Sequence, residues 1–149
     1  MADIEQEQQG MIVLLRFSKT DQDGRGRKVA IPHARGAACP VLALQHWLET
    51  SGITEGPIFR PVNRHGIIAG SALTAQAVAQ VVKERAKAIG LDPARYAGHS
   101  LRAGLATSAA QAGIAAHKIM AQTGHRSMDM LNRYIRDGEL FLNNAGGIL

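Results

Sequence analysis

The chain has 149 residues, of which 46% are hydrophobic, and 17 Lys and Arg against 12 Asp and Glu give a net charge of +5. This length suffices for one domain with a buried core, and no apolar run approaches the length of a membrane span. The single cysteine, Cys39, excludes an internal disulfide and a zinc site built on cysteines.

Charge and the start of the chain narrow the class of protein. The excess of positive charge suits nucleic acid or another polyanion as a partner, and is also typical of an ordinary basic domain. The first residues lack the basic-then-apolar pattern of a signal peptide, so we expect a cytoplasmic protein.

The N-terminal part of the sequence predicts a β-hairpin. Residues 1–10 are polar and acidic, and we expect them to be frayed or to be the end of an upstream segment. Residues 11–17 form a short apolar run typical of a buried strand, and residues 28–32 predict the returning strand. The segment 18–27 between them is rich in Asp and Gly, which favour a reversal of the chain. A further short strand is possible at 66–69.

Two helices are expected in the middle of the chain. Pro40 at a first-turn position begins the first, which ends at Gly52. Thr74 is the expected N-cap of the second, which runs to Ile89. The residues predicted to face the core in these helices are Val41, Leu44, Trp47, Leu48, Val78, Val81, Val82 and Ile89. Basic residues of the second helix are expected on its other side, as a solvated face or as contacts to a DNA backbone: Lys83, Arg85 and Lys87.

Three shorter helices follow. Ser100 predicts a cap for a helix to Ala112, a second covers 115–122, and Ser127 predicts the cap of a third. Gly113 and Gly124 mark the breaks between them. The sequence therefore predicts an α+β fold that is mostly helical, with a small antiparallel β-hairpin near the N-terminus.

Four residues in the segment 97–136 suggest chemistry on a phosphodiester: His99, Arg102, His125 and Tyr134. His99 and Arg102, three positions apart at a helix start, project from one face and can touch one anion. An arginine fork matches phosphate oxygens. A tyrosine nucleophile needs help from neighbouring groups because its usual pKa is near 10. Taken singly, each residue is more often a cap, a loop histidine or a packing tyrosine.

The combination is more specific than its parts. His99-x-x-Arg102, then Gly124-His125, then Tyr134 resembles the C-terminal signature of the tyrosine recombinases, the phage-integrase family. Phe17-Ser18-Lys19-Thr20 is similar to the family's turn that carries a catalytic lysine, for which Lys28 is a second candidate. The resemblance runs from about Asp3 to Asp137.

The resemblance implies a role for each residue. Tyr134 would attack the scissile phosphate, giving a 3′-phosphotyrosyl link and a 5′-hydroxyl. Arg102 would hold the non-bridging oxygens, and Lys19 would protonate the departing oxygen. His99 would act as acid or base, and His125 would hydrogen-bond the phosphate. The link conserves the energy of the phosphodiester, so neither a metal nor ATP is implied.

The resemblance also implies partners. Double-stranded DNA is the substrate, and family members assemble on it as homotetramers linked by a C-terminal segment that docks on a neighbour. The apolar residues of the tail could dock in this way or fold back on their own chain: Phe141, Leu142, Ile148 and Leu149.

One departure from the family pattern stands out. The family uses two arginines, the first on a helix before the hairpin, and Ala2-Asp3-Ile4 resembles the segment that follows that helix. Arg16 lies in a predicted strand and does not match. We therefore expect residues 1–149 to be a partial catalytic domain, without the first catalytic-arginine helix and the N-terminal DNA-binding domain. Loss of one such contact commonly costs about 10²–10³ in rate, so we expect little or no recombination by this chain alone.

Three alternatives stay open. A non-catalytic DNA-binding remnant would bind DNA with salt dependence and without cleavage. A type IB topoisomerase or telomere resolvase would share the chemistry, and a topoisomerase would relax supercoiled DNA without sequence preference. A metal-dependent nuclease would lose its activity in EDTA.

Overall fold

The computed structural model describes residues 2–18, 24–36 and 38–139, and for 136–139 the backbone alone. The chain divides into two compact units, Met1–Leu73 and Thr74–Leu149. The described residues form a three-stranded antiparallel sheet in the first unit and five α-helices across the two, which confirms the expected α+β, mostly helical fold. No helix within the described ranges is long and apolar enough to cross a membrane.

The sheet comprises β1 (Ile4–Glu7), β2 (Gly10–Leu15) and β3 (Arg27–Pro32) in the order β1-β2-β3. Both pairs are antiparallel, with Met11 of β2 opposite Ile31 of β3, so the predicted hairpin is confirmed.

The expectation that residues 1–10 are frayed is wrong, because β1 lies there and pairs with β2. As an edge strand, β1 leaves most of its side chains in water, so its polar sequence gives no apolar strand signal. Ion pairs connect the N-terminal segment to its neighbours. Arg16, just after β2, pairs with Asp3, and Lys28 of β3 pairs with Glu5 of β1.

Helix α1 (Pro40–Ser51) covers the sheet of the first unit. Val41 and Leu44 are buried and form a cluster with Met11 and Cys39, while Trp47 and Leu48 pack partly buried against it, so the predicted core face of α1 is confirmed. The helix ends at Gly52 as predicted. In the expected strand at 66–69 the structure forms a single bridge, Val62 to Ile68.

In the second unit α2 (Ala75–Ala88) begins as predicted, since the Thr74 hydroxyl accepts the Ala77 N–H at 3.1 Å. Its predicted core face is confirmed only at Val82, which is partly buried. The other three predicted residues are exposed: Val78, Val81 and Ile89. The less exposed stripe instead comprises Ala79, Val82, Lys83 and Ala86. This stripe is shifted by about one position from the predicted one, and Ala86 is its buried residue. Lys83 is part of the stripe, so it does not lie on a fully solvated side of the helix.

Helices α3 (Gly98–Gln111), α4 (Ala116–Thr123) and α5 (Met128–Glu139) pack around a small core made of Ala106, Ala110, Ile119 and Leu131. The breaks at Gly113 and Gly124 are confirmed by their positive φ angles, 72° and 71°. The Ser127 hydroxyl accepts the Met130 N–H at 3.3 Å, as expected of a cap.

The predicted cap of α3 at Ser100 is wrong by three residues, because the N-cap is Ala97. Helix α3 begins at Gly98, and Ser100 lies in its first turn, where its hydroxyl accepts the Ala97 N–H at 3.0 Å. A serine in the first turn can therefore accept a hydrogen bond from the N–H of the N-cap residue that precedes the helix.

Candidate active site

The start of α3 supplies His99 and Arg102, which lie three positions apart within the first two turns. The first turn of this helix contains no acidic residue. Backbone N–H groups at a helix start give a partial positive charge that favours an anion. With no carboxylate to oppose it, this end of α3 is electrostatically suited to phosphate.

Tyr134 reaches the same place from α5. Leu131, one turn earlier, is fully buried against Ala106 and Ala110 of α3, and Tyr134 packs partly buried against this cluster. Its hydroxyl oxygen lies 3.4 Å from Nε2 of His99, which is 35 residues away in sequence. This distance exceeds the usual 2.7–3.2 Å of a hydrogen bond.

His125 comes from the turn between α4 and α5. Gly124 adopts the left-handed conformation that ends α4, and the next residue, His125, is 8% exposed. The centroid of its ring lies 5.5 Å from that of Tyr134, with the two planes tilted by 48°. Its Nδ1 lies 2.6 Å from the Thr123 hydroxyl oxygen. His125 is therefore held on one side by Thr123 and on another by the tyrosine ring.

Burial lowers the pKa of His125 below its usual 6.5, and its electrostatic interactions with Arg102 and His99 lower it further. His125 is therefore neutral at pH 7, with one ring nitrogen able to take up a proton. An anion close to Arg102 would offset the positive charge and favour the protonated ring. The site thus links the charge of a bound ligand to the protonation of a buried imidazole.

Arg102 has a polar atom without a partner among the described residues. Its Nε is buried and makes no hydrogen bond to any residue within the described ranges. Buried N–H groups are nearly always paired, so an exception calls for an explanation such as a ligand. A phosphate oxygen is the natural acceptor for an arginine fork.

The structure thus brings together four of the five predicted site residues: His99, Arg102, His125 and Tyr134. Lys19, the fifth, lies outside the described residues. Lys28, its alternative, is on β3 in the other unit, where its Nζ lies 3.7 Å from Glu5. Thr123 was not predicted from the sequence, although its place two residues before His125 in Thr-Gly-His was a signal that could have found it.

Comparison with known proteins shows the family of this chain. The sequence pattern of the phage integrase family matches residues 1–139. A curated relative, an integrase/recombinase xerD homolog from Selenomonas ruminantium, is 48% identical over 138 residues, which cover 92% of this chain and 40% of the relative. The chain therefore belongs to the phage integrase family, and it spans about two fifths of the length of that relative.

Proposed function

We propose that this chain carries the residues for the strand cleavage and rejoining of site-specific DNA recombination, which proceed through a 3′-phosphotyrosyl intermediate in the complete protein. Family membership supports recombination as the class of reaction. The cluster of His99, Arg102, His125 and Tyr134 supports the covalent mechanism, because it combines a nucleophile, a cation and two proton-transfer groups.

Tyr134 is the proposed nucleophile. Its oxygen forms a bond to phosphorus while the bond from phosphorus to the 5′ oxygen breaks. The tyrosine proton passes to a base, for which His99 Nε2, 3.4 Å away, is well placed. The departing 5′ oxygen takes a proton from an acid, which the family resemblance assigns to Lys19. Attack by the 5′-hydroxyl of another strand reverses these steps and rejoins the DNA, so no energy source is consumed.

Arg102 and His125 are the proposed ligands of the phosphate. The observation that carries the proposal is the buried Nε of Arg102, which lacks a partner among the described residues beside a tyrosine–histidine pair. An oxygen of the phosphate would satisfy this donor as negative charge builds up in the transition state. His125, once protonated, would donate to a second oxygen.

We also propose that the chain acts within a longer recombinase. The relative's greater length supports this. The family pattern supports it too, because it pairs the arginine that Arg102 matches with a first arginine on a helix before the hairpin. The 149-residue chain alone should therefore cleave slowly or not at all, while the complete protein should assemble as a tetramer on its DNA site. Sedimentation of the complete protein with and without DNA tests the tetramer, and a protein that stays monomeric on DNA would contradict it.

A trapping experiment tests the chemistry. A library of nicked duplexes, in which cleavage releases a short 5′-hydroxyl strand, is incubated with the complete protein, and covalent protein–DNA adducts are isolated under denaturing conditions and sequenced. Adducts should form on a defined sequence and vanish in Tyr134→Phe. Tyr96→Phe, the matched control at the other tyrosine of the chain, should keep them.

The outcomes separate the competing functions. Adducts that persist in Tyr134→Phe would show that another residue is the nucleophile. Salt-sensitive DNA binding without adducts would favour a non-catalytic DNA-binding protein. Adducts on every sequence tested, together with relaxation of supercoiled DNA, would favour a topoisomerase.

A further inference from the structure

Thr123 makes two short contacts at the last residue of α4. Its hydroxyl donates to the Ile119 carbonyl oxygen at 2.7 Å, and the same hydroxyl oxygen lies 2.6 Å from Nδ1 of His125. Thr123 is 6% exposed and His125 8%, so water has little access to either contact. The pair is thus a buried hydrogen-bonded unit behind the candidate site.

Counting hydrogens fixes the direction of the second bond. A threonine hydroxyl has one hydrogen and two lone pairs, whereas a carbonyl oxygen can only accept. Since the hydrogen of Thr123 points to Ile119, its oxygen must accept from His125, and Nδ1 must carry a hydrogen. The neutral ring therefore has its proton on Nδ1 and a lone pair on Nε2, since the hydrogen bond at one ring nitrogen determines the state of the other.

Nε2 is left for the ligand. Within the described residues it makes no hydrogen bond, and the ring packs on Tyr134. A proton that His125 takes up must therefore bind at Nε2, and the protonated ring must donate from there. With the opposite tautomer, Nε2–H, the ring could not take up a proton at this atom, and Nδ1 could bond to Thr123 only if the hydroxyl gave up its bond to Ile119.

We infer that Thr123 is a positioning residue for the phosphoryl-transfer reaction, and that its hydroxyl oxygen holds His125 in the Nδ1–H tautomer so that Nε2 exchanges the proton at the phosphate. The hydroxyl acts through His125 and does not itself contact the reacting atoms. The use of Nε2 at a phosphate rests on the proposed function, whereas the tautomer does not.

Nitrogen NMR of the histidine rings tests the tautomer in the 149-residue chain. In each neutral ring the nitrogen that carries the proton resonates far upfield of the bare one, so the tautomer is read directly. At a pH above the pKa of His125, the wild type should show Nδ1 protonated and Nε2 bare. The reverse pattern in the wild type would overturn the inference, and this measurement needs no variant to fold.

Three variants then assign the effect to the hydroxyl. Thr123→Val keeps the shape of the side chain but removes the acceptor, so His125 should change to a mixture dominated by Nε2–H. Thr123→Ser should restore the wild-type pattern. Thr107→Val, the control at a partly buried threonine of α3, should leave His125 unchanged. If His125 keeps a pure Nδ1–H tautomer in Thr123→Val, the hydroxyl is not what holds it.

A kinetic measurement tests the role in the reaction. In the complete protein, Thr123→Val should slow adduct formation by about 10-fold to 100-fold, as loss of a group that orients a histidine does in other sites. Thr123→Ser should recover most of the rate. If the tautomer changes as expected and the rate does not, the positioning role is wrong. If no protein forms adducts while the tautomer is as expected, the proposed function fails and the assignment of the tautomer stands.

Discussion

Replacing Leu131 with alanine should strongly destabilise the C-terminal unit, because this side chain is the main contact that holds α5 on α3. Leu131 is 0% exposed and lies in a cluster with Ala106, Ala110 and Ile119. The substitution removes three carbon groups, and at about 0.8 kcal/mol for each the lost burial amounts to about 2.4 kcal/mol. A cavity that closes incompletely raises the loss, as in other buried Leu→Ala changes, which cost about 2.7–5 kcal/mol. We expect a loss of about 3 kcal/mol in the free energy of unfolding.

Urea denaturation followed by far-ultraviolet circular dichroism measures this loss. With a slope of about 1–1.5 kcal/mol per molar urea for a unit of this size, the midpoint should fall by about 2–3 M. Met130→Ala is the matched control, because Met130 is the preceding residue of α5 and is 61% exposed. It should change the free energy of unfolding by no more than about 0.5 kcal/mol.

Two results would refute this reasoning. A loss below about 1 kcal/mol for Leu131→Ala would mean that the buried side chain contributes little to the attachment of α5. Equal losses for Leu131→Ala and Met130→Ala would mean that helix formation rather than packing limits stability. Because Tyr134 follows Leu131 by one turn, the expected destabilisation should also slow adduct formation in the complete protein, and Met130→Ala should not.

Three further predictions concern the imidazole and the backbone. Arg102→Met should raise the pKa of His125 towards 6.5 without reaching it, because one positive neighbour is removed while burial remains; an NMR titration measures this, and an unchanged pKa would contradict it. The pKa of His125 is lower in the folded state than its usual 6.5, so just below pH 6.5 the unfolded chain binds more protons than the folded one. The contribution of His125 to the free energy of unfolding should therefore fall as the pH drops below 6.5, and should be constant at higher pH. Urea midpoints between about pH 5 and pH 8 test this, and His125→Asn should flatten the slope. Gly10→Ala should lower the free energy of unfolding more than Gly52→Ala. Both glycines have positive φ, but only at Gly10 would a Cβ collide with the backbone of Ile31. In urea denaturation Gly52→Ala should cost only about 1–2 kcal/mol, and equal losses for the two variants would contradict the collision.

The parts of the fold that depend on local chemistry could be predicted from the sequence. Thr74 caps α2, and Gly52 and Gly124 end their helices, because side-chain capping and left-handed backbone depend on a few adjacent residues. The hairpin of β2 and β3 was predictable for a similar reason, since two apolar runs flank a turn-rich segment.

The parts that depend on distant contacts could not be predicted. Strand β1 is polar and is held by pairing with β2, so its own residues give no strand signal. The buried face of α2 is set by the close contact at Ala86, whereas the sequence favours its larger valines. In both cases tertiary packing outweighs local pattern.

The candidate site shows the same division. Spacing alone places His99 and Arg102 on one helix face, but it cannot bring Tyr134 to His99 across 35 residues; that expectation came from the family resemblance. The role of Thr123 could not come from either source, because the tautomer of His125 follows from where one hydroxyl hydrogen points in the folded chain.

The alanines of α3 have a consequence for how this protein can vary. Leu131 of α5 packs against Ala106 and Ala110 of α3. The small size of these two alanines therefore determines how closely α5 approaches α3, and with it the distance from the Tyr134 hydroxyl to the start of α3. A valine at either position would push α5 outward and move Tyr134 without replacing any residue of the candidate site. A screen for altered cleavage rates should therefore recover changes at these two buried positions, which never touch DNA, and combining them with a smaller residue at Leu131 should restore the rate.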